Sequence, residues 1–250
     1  QAEILTAQYP GAYVVWNMLG ASRAQIGMLD EAVEAYKKSI SLKPDYVEAY
    51  SNMGVALKNQ GKLDESIEAY KKSISLKPDY ADAYNNMGVT LKDQGKLDEA
   101  IEAYRETISL KHDHAEAYDN MGMALKNQGK LDEAIEAHKK SILLKPFRAE
   151  AYNNIGNALK EQGRLDQALE NYNKAISLKP DYAEPYNNIG LVLHYLDKSY
   201  EAIETFNKSI SLKPDFAEAH QNLSLTLLNS GRLKEGLEQY EWRWKTAQFL

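Results

Sequence analysis

Asparagine is the residue type whose repetition in this sequence could do chemistry. One set of positions spaced 34 apart carries asparagine six times, and the position just before it carries asparagine four times. A carboxamide offers a hydrogen-bond donor and an acceptor, so a row of them could hold the N–H and C=O groups of an extended peptide without reading its side chains. The first set is Asn52, Asn86, Asn120, Asn154, Asn188 and Asn222, with Met18 as the exception, and the second is Asn17, Asn85, Asn153 and Asn187.

Charged residues recur with the same spacing on both sides of the asparagines. One row is acidic, and a row of lysines follows the asparagines; we count these lysines among the candidate peptide-binding residues. Helix dipoles are an alternative explanation for both rows, since carboxylates favour helix starts and cations favour helix ends. The acidic row is Glu48, Asp82, Glu116, Glu150, Glu184 and Glu218, and the lysines are Lys58, Lys92, Lys126 and Lys160. The asparagines likewise have an alternative role, which is to bridge adjacent repeats.

The elements that position these residues follow from an internal repeat of 34 residues. Pro10, Pro44, Pro78, Pro146, Pro180 and Pro214 share one spacing, and His112 takes the remaining place. Within one copy, small and apolar residues at three- and four-residue spacing, such as Met87, Gly88 and Leu91, indicate one buried stripe of a first helix. Gly95 predicts the end of that helix, and Ala100, Ile101 and Tyr104 mark a second one.

The period divides the chain into a short start and seven copies. A helical hairpin of this kind cannot cover its own apolar stripe, so the copies must stack on one another. Gly88 and its equivalents are expected at the close contact between paired helices. The predicted segments are 1–9 (part of a preceding repeat), 10–43, 44–77, 78–111, 112–145, 146–179, 180–213 and 214–250.

Composition excludes several classes of function. The formal net charge of -6 disfavours binding to nucleic acid, which needs a clustered basic face. The absence of cysteine excludes thiolate metal sites and fits a cytoplasmic protein, and no apolar run is long enough for a membrane span. Every notable polar residue recurs with the period, whereas catalytic constellations do not, so we expect no catalytic residue, no metal and no cofactor. His112 and His114 alone make a poor metal site.

The repeat pattern resembles that of tetratricopeptide repeat (TPR) proteins. This resemblance implies an all-α, right-handed α-solenoid of about seven helix-turn-helix repeats, whose concave face is lined by first helices and binds peptides or protein segments. The asparagine row is similar to the asparagine ladder in the TPR superhelix of O-linked N-acetylglucosamine transferases, whose repeats read like residues 151–172. The lysine, asparagine and arginine set with which some TPR domains capture a terminal carboxylate does not match here.

Departures from the repeat concern one turn and the two ends. The sixth copy reads His194, Tyr195, Leu196 and Asp197 where the others place a glycine, so we expect altered geometry and a small exposed patch there. Residues 236–245, with Trp242 and Trp244, are similar to the junction between TPR arrays and glycosyltransferase-like domains of bacterial proteins. Both ends are therefore expected to be those of a fragment of a longer protein.

The leading hypothesis is a non-catalytic scaffold that binds peptides or protein segments. One alternative is the substrate-recruiting arm of a larger bacterial glycosyltransferase-like protein. Another is a self-assembling scaffold whose open ends associate end to end.

Overall fold

The computed structural model describes residues 2–242, with side chains from residue 4 onward, and the described part is built from α-helices. The helices fall into two compact units, unit 1 (Gln1–Gln128) and unit 2 (Gly129–Leu250). Unit 1 contains α1 (Ala2–Gln8), α2 (Tyr13–Gln25), α3 (Leu29–Leu42), α4 (Val47–Asn59), α5 (Leu63–Leu76), α6 (Ala81–Asp93), α7 (Leu97–Leu110) and α8 (Ala115–Asn127). Unit 2 contains α9 (Leu131–Leu144), α10 (Ala149–Glu161), α11 (Leu165–Leu178), α12 (Ala183–Tyr195), α13 (Ser199–Leu212), α14 (Ala217–Asn229) and α15 (Leu233–Tyr240).

Each unit is a stack of helical hairpins. The pairs α2/α3, α4/α5 and α6/α7 form hairpins in unit 1, and α10/α11, α12/α13 and α14/α15 do so in unit 2. The first helix of each hairpin also contacts the next first helix, as α2 contacts α4 and α10 contacts α12. The predicted all-α solenoid is confirmed, and its first helices form a continuous row within each unit.

Paired helices approach closely where the first one carries glycine. The ring of Tyr104 on α7 lies over Gly88 on α6, and a Cβ added to Gly88 would lie 2.7 Å from Cε1 of that ring. The same contact joins Gly54 to Tyr70 in unit 1, and Gly190 to the ring of Phe206 in unit 2. These aromatic side chains are fully buried. The close contact predicted for Gly88 and its equivalents is therefore confirmed at these glycines, and the partner of each of them is an aromatic ring.

A left-handed residue ends most first helices. Gly95 has φ +78°, and Lys96 N–H donates back to the carbonyl oxygen of Leu91. In the sixth copy, Asp197 takes this place with φ +57°, and Lys198 N–H donates to Leu193 in the same way. The altered geometry expected at this turn was therefore wrong, because a short polar side chain tolerates the left-handed conformation. The exposed patch is present, since Tyr195, Leu196 and the neighbouring Tyr200 are all exposed.

We expect Asp197→Gly to raise the free energy of unfolding by about 0.5–1 kcal/mol, because glycine adopts positive φ without the steric cost of a Cβ. Urea denaturation followed by circular dichroism measures the change. The reciprocal variant Gly163→Asp, at φ +74°, should lose a similar amount. A less stable Asp197→Gly variant would show instead that the aspartate side chain stabilises the turn.

Candidate functional site

The candidate asparagines form pairs between adjacent repeats. We call Asn52, Asn86, Asn120, Asn154, Asn188 and Asn222 the outer asparagines, and Asn17, Asn85, Asn153 and Asn187 the inner asparagines. In unit 1, Asn52 Nδ2 donates to Asn17 Oδ1 at 3.1 Å, and Asn120 Nδ2 donates to Asn85 Oδ1 at 3.1 Å. Each bond links one first helix to the next, because the two residues lie 35 positions apart.

Unit 2 repeats this geometry. Asn188 Nδ2 donates to Asn153 Oδ1 at 3.0 Å, and Asn222 Nδ2 donates to Asn187 Oδ1 at 2.9 Å. The inner members are buried, with Asn153 5% and Asn187 1% exposed, whereas Asn188 and Asn222 stay half-buried. The bridging role considered for these residues from the sequence is therefore present in four pairs.

Pairing with the inner asparagines fixes the orientation of the outer carboxamide groups. The Nδ2 group of Asn52, Asn188 or Asn222 is used by the inner partner, while the Oδ1 atom of each keeps acceptor capacity. The arrangement thus offers hydrogen-bond acceptors along the row of first helices. For Asn86, the residue 35 positions earlier is Ser51 instead of an inner asparagine. Asn154 is half-buried on α10.

The candidate lysines are half-buried near the ends of the first helices. Lys58 Nζ lies 3.3 Å from Asp93 Oδ2, and Lys92 Nζ lies 3.7 Å from Asp93 Oδ1, so one carboxylate serves two lysines in unit 1. Lys126 and Lys160 occupy the same places on α8 and α10. The Asp93 pairs hold Lys58 and Lys92 on the same row of helices as the outer asparagines.

The acidic row begins the first helices, as their dipoles favour, and it also forms ion pairs. Lys179 Nζ lies 3.5 Å from Glu150 Oε1, and Lys213 Nζ lies 3.5 Å from Glu184 Oε1. Each lysine is the C-cap residue of the second helix in the same repeat as its glutamate partner: Lys179 for α11 and Lys213 for α13. Because these side chains are half exposed, each pair contributes little to stability.

Sequence reasoning missed a second row of bridges between repeats. Gln60 Nε2 donates to Asp30 Oδ1 at 2.9 Å, and Gln94 Nε2 donates to Asp64 Oδ1 at 2.9 Å. The pairs Gln128 with Asp98 and Gln162 with Asp132 are equivalent, each at 2.8 Å. Asp98 lies in the first turn of α7, and its carboxylate accepts this bond. The constant separation of 30 residues between aspartate and glutamine was the sequence signal that could have predicted these bridges.

His114 and His220 have structural partners. His114 is the N-cap of α8, where its Nδ1 accepts from Ala117 N–H at 3.1 Å. His220 stacks on Trp242 with ring centroids 3.9 Å apart. His138 is fully buried. Within residues 2–242, His, Asp and Glu side chains form no cluster of three or more that could hold a metal ion. Trp244 and the rest of residues 243–250 lie outside the described residues.

Family comparisons identify the type of protein that carries this geometry. Sequence models described as TPR repeat match residues 20–61, 56–95 and 156–197, and those described as tetratricopeptide repeat match residues 79–145 and 183–216. The chain belongs to the tetratricopeptide repeat family. The predicted family is confirmed, and its repeats make this chain a scaffold for protein interactions.

Known TPR proteins match this chain in sequence and in fold. The peroxisomal targeting signal receptor of Candida albicans is 46% identical over 50 residues, which are 20% of this chain and 8% of the receptor, so the match spans less than a tenth of that relative. MamA is 32% identical with a TM-score of 0.61, over 66% of this chain and 96% of MamA. YrrB, a TPR protein with an unusual peptide-binding site, is 22% identical with a TM-score of 0.60, over 80% of this chain and all of YrrB.

The helices of the described region are short and amphipathic. None of those within residues 2–242 combines the length and apolarity needed to cross a membrane.

Proposed function

We propose that this TPR chain binds extended segments of other proteins along the first helices of each unit, with the outer asparagines as the principal contacts. The observation that carries the proposal is the direction of the carboxamides. The Nδ2 groups of Asn52, Asn188 and Asn222 are held by the inner asparagines, and their Oδ1 atoms are left as acceptors. An extended peptide presents backbone N–H groups that need such acceptors when they leave water.

Binding through backbone N–H groups would be tolerant of sequence. The adjacent repeats of Asn188 and Asn222 offer nearly the same acceptor, so they can bind successive parts of an unrelated segment. Lys58 and Lys92, held beside the row by Asp93, add cationic groups that can contact peptide carbonyl oxygens or acidic side chains. The names of two similar proteins, a targeting signal receptor and a TPR protein with a peptide-binding site, support a peptide as the class of ligand.

We expect the double variant Asn188→Ala, Asn222→Ala, in unit 2, to bind extended peptides about tenfold more weakly than the parent chain. Each lost hydrogen bond costs about 0.5–1.5 kcal/mol, so two losses correspond to roughly one decade in affinity. Unstructured 12-residue peptides are first selected by display on the parent chain. Fluorescence anisotropy then gives the dissociation constants.

A matched control carries the same substitutions on second helices. Asn173→Ala and Asn207→Ala change α11 and α13 and should leave peptide affinity unchanged. Peptides with N-methylated backbone amides test the chemistry directly, because they cannot donate to Oδ1. Equal affinity of the parent and the outer-asparagine variant, or no peptide selected at all, contradicts the proposal.

Narrower hypotheses from the sequence stay predictions. A glycosyltransferase-like arm in a bacterial protein predicts a transferase domain in the coding sequence beyond Leu250. End-to-end self-association predicts a molar mass that rises with concentration in light scattering. A cytoplasmic location is checked by cell fractionation.

A further inference from the structure

The first repeat departs from the outer-asparagine row and opens a pocket. Met18 stands on α2 where the other repeats carry an outer asparagine, and its side chain is 53% exposed. Between α2 and α4 lies a cavity of about 650 Å³, to which Met18, Ala21, Tyr36, Asn52 and Val55 contribute. It is open to solvent, as a groove is, and it is not enclosed.

The pocket has an apolar side and a polar side. Met18, Ala21 and Val55 form an apolar surface, and the buried ring of Tyr36 lies behind it. The described residues that line the cavity are all uncharged, whereas 26% of the chain is charged. Methionine adapts its shape to different apolar partners, so the surface can accept side chains of several shapes. A charged side chain placed there would lose hydration without gaining a counterion.

Asn52 connects this pocket to the proposed peptide-binding row. Its Nδ2 is held by Asn17 at 3.1 Å, and its Oδ1 keeps acceptor capacity at the wall of the pocket. A peptide whose backbone N–H donates to Asn52 would therefore place a neighbouring side chain beside Met18 and Val55. The pocket and this acceptor are therefore close enough for one ligand to reach both.

We infer that this pocket is a specificity subsite, which binds one large apolar side chain of the extended peptide and sets its register on the otherwise uniform row. The inference rests on the proposed function. It adds that the peptide carries leucine, isoleucine, methionine or phenylalanine at one position, because the outer asparagines alone cannot distinguish one register from another. Other repeats carry asparagine in place of Met18 and offer a polar group there.

The test compares two acetyl-capped 12-residue peptides of glycine and serine, one with a central leucine and one with a central aspartate. The chain is labelled with ¹³C at its methionine methyl groups, so that NMR reports directly on Met18. We expect the leucine peptide to shift the Met18 signal and to bind about tenfold more tightly than the aspartate peptide, as burial of one such side chain allows.

The variant Met18→Asn introduces the residue that the other repeats carry at this position and should keep the fold. We expect it to bind the two peptides within threefold of each other, while the control Met18→Leu keeps the tenfold preference for leucine. Asparagine-dependent binding with no preference for leucine, or a preference that survives in Met18→Asn, overturns the subsite and leaves the proposed function intact. A parent chain that binds neither peptide contradicts both.

Discussion

Replacing Gly156 with leucine should lower the free energy of unfolding by about 3 kcal/mol. A Cβ at this position would lie 2.5 Å from Cε1 of Tyr172, far inside normal van der Waals contact. The Tyr172 ring is fully buried, and its hydroxyl donates to Asn157 Oδ1 at 2.9 Å, so the ring has little room to retreat. Overpacking of this kind costs about 1–3 kcal/mol, and the leucine side chain adds to the clash of its Cβ. Urea denaturation followed by circular dichroism gives the value.

Gly11→Ala is the matched control for this substitution. A Cβ added to Gly11 would meet no atom within 4 Å, so we expect no loss of stability there. In a solenoid, a local defect weakens the contacts between neighbouring repeats, and a broadened unfolding transition is also expected for Gly156→Leu. Wild-type stability of Gly156→Leu would show that helices α10 and α11 can separate without cost.

The sequence predicted the helices because local rules agree with the period. Gly95 ends a first helix in the structure as it does in the pattern, and of the predicted stripe Gly88 and Leu91 are buried while Met87 is half-buried. The partner of the glycine was harder to predict. Apolar spacing shows which face of a helix is buried, but the angle at which two helices cross decides that Gly88 meets the ring of Tyr104.

The candidate site was predicted only in part, for the same reason. Repetition identified the asparagine rows, but whether two asparagines 35 residues apart come within hydrogen-bonding distance depends on how one repeat is rotated against the next. Asn188 and Asn153 meet at 3.0 Å, so the donor of the outer residue is used and only its acceptor remains for a ligand. The sequence shows which residue type recurs at a given position of the repeat. The stacking of repeats decides which atoms of that residue are free to bind a ligand.

The tyrosines at the glycine contacts make the fold sensitive to alkali. Burial raises the pKa of Tyr36 and of Tyr70 to about 12, because the phenolate would lose its hydration in the interior. Burial also raises the pKa of Tyr104 and of Tyr172. The unfolded chain ionises its tyrosines near pH 10, so the stabilisation is complete below pH 10 and is lost as the pH rises through 12.

We expect the free energy of unfolding to fall steeply between pH 10 and pH 12, and Tyr70→Phe to reduce the fall by about 2 kcal/mol. A pKa difference of about two units is worth about 3 kcal/mol at 1.36 kcal/mol for each unit, and most of it is lost by pH 12. The variant should fold, because Phe206 occupies the equivalent place over Gly190 and is fully buried. Urea denaturation at pH 8 and at pH 12 gives the two energies for each protein.

Tyr195→Phe is the control, since this phenol on α12 is 65% exposed and keeps its hydration on folding. It should follow the parent chain across the whole pH range. All other titratable groups are the same in Tyr70→Phe as in the parent, so the difference between these two proteins isolates one buried phenol. If the free energy of unfolding of Tyr70→Phe falls as steeply as that of the parent, burial of the Tyr70 phenol does not limit stability at high pH. Water must then reach this ring in the folded chain.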